Sequence, residues 1–111
     1  MTLNERLIAA LSSAGVPVSP DQYDGDSTEY ITFSYSEIPV YFGDNEPEFV
    51  RYLISVHWFL PSGANPISGK RKIRKALTSA GFDAPDITPT NDEEGQHYVF
   101  ETEWLDGEAE G

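Results

Sequence analysis

The stretch from Phe49 to Leu60, FVRYLISVHWFL, constrains this chain more than any other. Val50, Tyr52, Ile54, Val56, Trp58 and Leu60 fall on one side of an extended chain. Phe49, Arg51, Leu53, Ser55, His57 and Phe59 fall on the other. A period of two in β-branched and aromatic residues predicts a strand with one face fully buried and the other partly buried. At about twelve residues it suits the centre of a sheet, with the rest of the fold built around it.

The flanking segments supply the other elements. Thr2 and Glu5 have capping-box spacing, and Leu3, Leu7, Leu11 and Ala14 form a helical stripe with Ile8 and Ala10 beside it. A helix is therefore predicted over Leu3–Ala14, ended by Gly15 and kept from continuing by Pro17. Residues 16–27 read as a loop, with a short extended piece at Val16–Val18. Asp21, Asp24 and Asp26 lack the spacing of a calcium loop and read as solvated. A strand is expected at Glu29–Ser36. Ile38–Phe42 reads as a second extended run starting at an edge or bulge, because Pro39 cannot donate to a ladder. Gly43–Pro47 reads as a turn, and Pro61 as the stop of the long strand.

A second helix is expected from about Pro66 or Ser68 to Ala80, ended by Gly81. Ile73, Ala76, Leu77 and Ala80 form its apolar arc, and Lys70, Arg71, Lys72, Arg74 and Lys75 its outer arc. Ala10–Val16 echoes Ala76–Phe82, which reads as two helices stopping by the same cap chemistry. A weak strand near Asp86–Pro89, an acidic turn at Asn91–Gly95 and a final strand at Gln96–Leu105 follow. The resulting class is α+β: a mixed, mostly antiparallel sheet of about four to five strands with two helices packed on one face. Residues 1–105 form a single domain, and residues 106–111 an acidic, disordered tail. The other sheet face is left needing a cover, for which a partner subunit is the natural source.

Charge and composition narrow the function. The chain has 111 residues, no cysteine and a net charge of −12. Thiolate metal sites, thiol nucleophiles and disulfides are excluded. Two histidines are too few for a conventional histidine zinc site. An acidic surface disfavours general nucleic-acid binding. No apolar run reaches the length of a membrane span, and the acid at Glu5 without a basic leader argues against a signal peptide, so the cytoplasm is the expected compartment.

Five of the seven basic residues sit in positions 70–75, leaving Arg6 and Arg51 against 19 acids elsewhere. That strip reads as a solvated helix face, as a contact with an acidic neighbour, or as a nucleic-acid contact. The absence of interleaved aromatics weakens the last reading. No nucleophile elbow, phosphate loop, dinucleotide fingerprint or zincin motif is present. His57 and His97 read as strand histidines, and Glu101 and Glu103 as solvated surface. No catalytic, cofactor-binding or metal residues are assigned. An acidic module that assembles, without enzymatic activity, is expected.

An order of short motifs carries one resemblance. Ala14-Gly15-Val16-Pro17 closes the first helix. Tyr30-Ile31-Thr32-Phe33 opens a strand, and Phe42-Gly43-Asp44-Asn45 forms a turn. The long strand, a charged helix ending at Ala80-Gly81-Phe82, and a last strand rich in aromatics and glutamates follow. In this order the chain resembles the tail-terminator, or tail-completion, proteins of long-tailed bacteriophages. It departs from them in carrying only basic charge on the second helix.

The resemblance implies a structural virion protein without catalysis or cofactor, located at the head-proximal end of the tail and assembled in the host cytoplasm. It implies a homo-oligomeric ring, commonly of six subunits, that caps the tail tube protein, stops its polymerisation and meets the head connector. DNA would pass only as cargo through an acidic lumen, and no membrane is involved. A ring needs one patch to meet a different patch. The candidate interface residues are Lys70, Arg71, Lys72, Arg74 and Lys75 against Asp92, Glu93 and Glu94, or Glu101 and Glu103. Rival readings are a head-closure or head–tail joining protein of the neck, and a small acidic regulator binding a host partner.

Overall fold

The computed structural model describes residues 2–40, 49–91, 93 and 95–106. The elements are α1 (Leu3–Leu11) with a 3-10 turn at Ser12–Ala14, β1 (Val18–Pro20), β2 (Tyr30–Val40), β3 (Phe49–Pro61), α2 (Ile67–Ser79), β4 (Asp86–Pro89) and β5 (Gly95–Asp106). The fold is α+β: a five-stranded mixed sheet in the order β1-β2-β3-β5-β4, with both helices on one face. Only the β1–β2 pair is parallel.

β3 is the central strand, as its length and alternation predict. It pairs with β5 from Val50 to Pro61, and with β2 from Phe49 to Phe59. The register places Ile31, Trp58 and Tyr98 in one row, and Phe33, Val56 and Phe100 in the next. These six residues are buried, together with Leu7 and Leu11 from α1 and Ile73 and Leu77 from α2. Burying one such side chain stabilises the fold by about 1.5–3 kcal/mol. The core is therefore the layer between the helix pair and β2-β3-β5.

The helix ends are built by local chemistry. The Thr2 hydroxyl accepts from the Glu5 amide while the Glu5 carboxylate accepts from the Thr2 amide, completing the capping box. Asn65 caps the start of α2 by accepting from the Ile67 amide at 3.1 Å. At its end, the Gly81 amide donates to the Thr78 carbonyl and the Phe82 amide to the Leu77 carbonyl. This is a Schellman motif, with Gly81 in the left-handed region at φ 98°. Buried Phe82 and Leu77 supply its apolar contact. The first helix ends differently, in a 3-10 turn with a single bond from the Gly15 amide to Ser12.

Several expectations need correction. The short extended piece lies at Val18–Pro20, later than the 16–18 expected, because the ladder opens with the Ile31 amide donating to the Pro17 carbonyl, which makes Val18 the first paired residue. The two runs expected at 29–36 and 38–42 are one continuous strand as far as Val40. Pro39 needs no bulge there, because β1 pairs with β2 only as far as Phe33 and leaves the outer edge of β2 open beyond it. Pro61 pairs with Gly95 and so belongs to β3. β5 runs to Asp106, one residue into the expected tail. The expected Gly43–Pro47 turn, and the tail beyond Asp106, lie outside the described residues.

Candidate functional site

α2 presents its basic residues unevenly. Arg71, Lys72, Arg74 and Lys75 are exposed, and Lys72 and Lys75 border a groove floored by Ala10, Ala76 and Ala80 between the two helices. Among the described residues none of these cations pairs with a carboxylate. Lys70 is a correction to the expected outer arc. It lies about 60° from Ile73 at 100° per residue, on the rim of the buried face. It is half-buried, with its ammonium over the Tyr98 ring at 4.3 Å from the centroid. Ala80 is likewise exposed rather than part of the buried arc, because the helix has ended at its C-cap.

Tyr98 belongs to a polar frame at that end of the sheet. Its hydroxyl donates to Gln96 Oε1 at 2.6 Å, and Gln96 Nε2 donates to the carbonyls of Ala64 and Pro61. The Trp58 indole N–H donates to Glu29 Oε2 at 3.0 Å. These bonds fix the link between β3 and α2, and with it the direction in which the basic arc points.

The acids lie on the opposite face. Glu101 and Glu103 are exposed on the side of β5 turned away from the helices, opposite Ser55 and Leu53 of β3. Asp86 stands opposite Glu101 on β4. With Asp83 these residues line a notch of about 300 Å³. The Thr102 hydroxyl donates to the Asp83 carbonyl at 2.6 Å and holds Asp83 beside the strand. Sequence reasoning missed Asp83 and Asp86, because only the β4–β5 register places them beside Glu101. Glu93 is exposed, while Asp92 and Glu94 lie outside the described residues. Leu53 and Leu105 stand exposed on this same uncovered face.

At its other end the uncovered face carries a row of rings. Tyr23 stacks on Tyr30 with centroids 4.5 Å apart, Tyr30 on Phe59 at 4.7 Å, and Phe59 on His97 at 4.1 Å. His57 Nδ1 lies 2.8 Å from His97 Nε2. Loss of hydration on partial burial holds the His57 pKa below its usual value. The sequence reading took the two histidines one at a time. Their meeting depends on the β3–β5 register, which puts His57 opposite Val99 and His97 opposite Phe59.

Among the described residues no group of three or more histidine, cysteine or carboxylate side chains is arranged to hold a metal ion, and no helix is long and apolar enough to cross a membrane. What the fold defines is a two-layer α+β protein with a basic helix face on one side and an acidic, partly apolar sheet face on the other. No known protein family and no curated protein matches the chain.

Proposed function

We propose that this chain is a structural assembly protein of the tail-terminator kind. It acts without catalysis, by joining copies of itself into a closed ring that caps a tail tube and meets a head connector. The observation that carries this reading is the placement of uncompensated charge. Arg71, Arg74 and Lys75 face outward from the helix layer, and Glu101, Glu103 and Asp86 face outward from the sheet layer on the opposite side. Patches of opposite sign on opposite faces favour a heterologous, head-to-tail contact, which closes into a ring when the rotation per subunit permits. The exposed Leu53 and Leu105 add apolar area for the contact to bury. The net charge of −12 leaves an acidic surplus that would let DNA pass through a lumen without adhering.

A head-side neck protein would use the same surfaces, so the test must report on the tail. The gene is deleted from a phage or prophage that carries it, and the lysate is imaged by negative-stain electron microscopy. Filled heads beside separate tubes of irregular, excessive length are expected. Tubes of normal length beside unattached heads would move the protein to the head side, and intact virions would overturn the reading.

A further inference from the structure

The most specific arrangement on the uncovered face that the ring reading does not use is the pair of imidazoles. His57 Nδ1 and His97 Nε2 point at each other across adjacent strands at 2.8 Å. At this distance one nitrogen carries a proton and the other offers its lone pair to it, the tautomers of the two rings deciding which donates. Two imidazole nitrogens held face to face across a paired sheet can also act as a chelate once the rings turn so that both lone pairs meet at one ion. We propose that His57 and His97 form a two-histidine site for a divalent transition metal, with the ion taking the place of the shared proton, which moves to the other nitrogen of the ring that carried it, so that both histidines ligate as neutral imidazoles.

The distances allow it. With metal–nitrogen bonds of about 2.0–2.1 Å and angles of roughly 90–110°, two ligand nitrogens lie about 2.8–3.4 Å apart. The observed 2.8 Å lies at the short end of that range, so the change that binding requires is a turn of the rings toward a common point. Both rings are half-buried, so each retains access to solvent. The backbones are held by the continuous β3–β5 ladder. Phe59 stacks against His97 at 4.1 Å between centroids and lies nearly parallel to His57 at 6.4 Å, forming an apolar backstop to the pair.

Ligand type sets the choice of ion. Imidazole suits zinc, nickel and copper, whereas magnesium and calcium prefer oxygen donors. Two protein ligands leave the remaining positions to solvent or to a group brought by a neighbouring molecule. The site is independent of the ring proposal, and either can fail without the other.

The test is calorimetric titration of metal-free protein with Zn²⁺ and with Ni²⁺ at pH 7.5, with Mg²⁺ as control. One Zn²⁺ or Ni²⁺ per chain is expected, with no heat from Mg²⁺. His57→Gln and His97→Gln each keep a hydrogen-bonding side chain but remove a ligand, and each is expected to weaken binding by at least about tenfold. Circular dichroism without metal checks that the variants fold. If they do not, Ni²⁺ is added to ¹⁵N-labelled wild-type protein, and paramagnetic broadening centred on the amides of His57 and His97 is expected. Absence of stoichiometric binding, binding unchanged in either folded variant, or broadening centred on the acidic notch would overturn the proposal.

Discussion

Gly69 of α2 lies directly against the indole of Trp58, so that a Cβ at position 69 would overlap the outer edge of the ring. Trp58 is 3% exposed and its N–H is tied to Glu29, so the ring has nowhere to move. Gly69→Ala improves helix propensity by about 1 kcal/mol but overpacks this contact at a cost of about 1–3 kcal/mol. The expected outcome is a net loss of stability of about 1 kcal/mol, read from the urea midpoint at unchanged slope. A gain in stability would mean that α2 can lift away from β3.

The histidine pair sets a direction for the pH dependence. Loss of hydration holds the folded His57 pKa below its ordinary value of 6.5. On acidification the unfolded chain therefore takes up the proton first. Stability from this group is full above pH 6.5 and falls as the pH drops from there toward the folded pKa. Wild-type protein is expected to lose more stability between pH 7.5 and 5.5 than His57→Gln, measured by urea unfolding at both pH values. Equal losses would show that the pair does not couple to folding.

Lys70 and Arg71 are neighbours in sequence with different work to do. Lys70 packs over Tyr98, and Arg71 faces solvent. Lys70→Ala is expected to cost about 0.5–1 kcal/mol through the lost ring contact and stem packing. Arg71→Ala is expected to stay within about 0.5 kcal/mol of wild type. Thermal unfolding of the two variants side by side decides the matter. It also determines which residues a charge-reversal experiment can use, because reversing Lys70 would disturb the fold as well as the surface.

The parts of this fold that repeat with a short period were legible in the sequence. The alternation in Phe49–Leu60 assigns Val50, Tyr52, Ile54, Val56, Trp58 and Leu60 to the core face; the last five are buried and Val50, at the strand's start, is half-buried. The Thr2/Glu5 box and the glycines at 15 and 81 mark helix ends, because capping depends on residues three to five apart. Pairing between distant segments was not legible. β1 has three residues, and its parallel partner is set by the tertiary path of residues 21–29, which no local pattern encodes. The meeting of His57 with His97, and of Asp86 with Glu101, depends on strand register over separations that periodicity does not report. Lys70 was misplaced for a smaller reason: its long apolar stem lets a residue at the rim of the buried arc lie along the core with its charge over a ring.

The central claim, head-to-tail assembly through opposite charge, is tested most directly by sedimentation of paired reversals. One variant carries Arg71→Glu, Arg74→Glu and Lys75→Glu, and the other carries Asp86→Lys, Glu101→Lys and Glu103→Lys. All these positions are exposed, so both variants are expected to fold. At about 50 mM salt the wild-type chain is expected to form one closed oligomer that weakens as salt rises. Each variant alone is expected to remain a monomer, and an equimolar mixture is expected to assemble again with the two variants alternating, because both faces of one variant meet patches of opposite sign on the other. Wild-type protein that stays monomeric over the whole concentration range, or a basic-face reversal that assembles like wild type, would contradict the account.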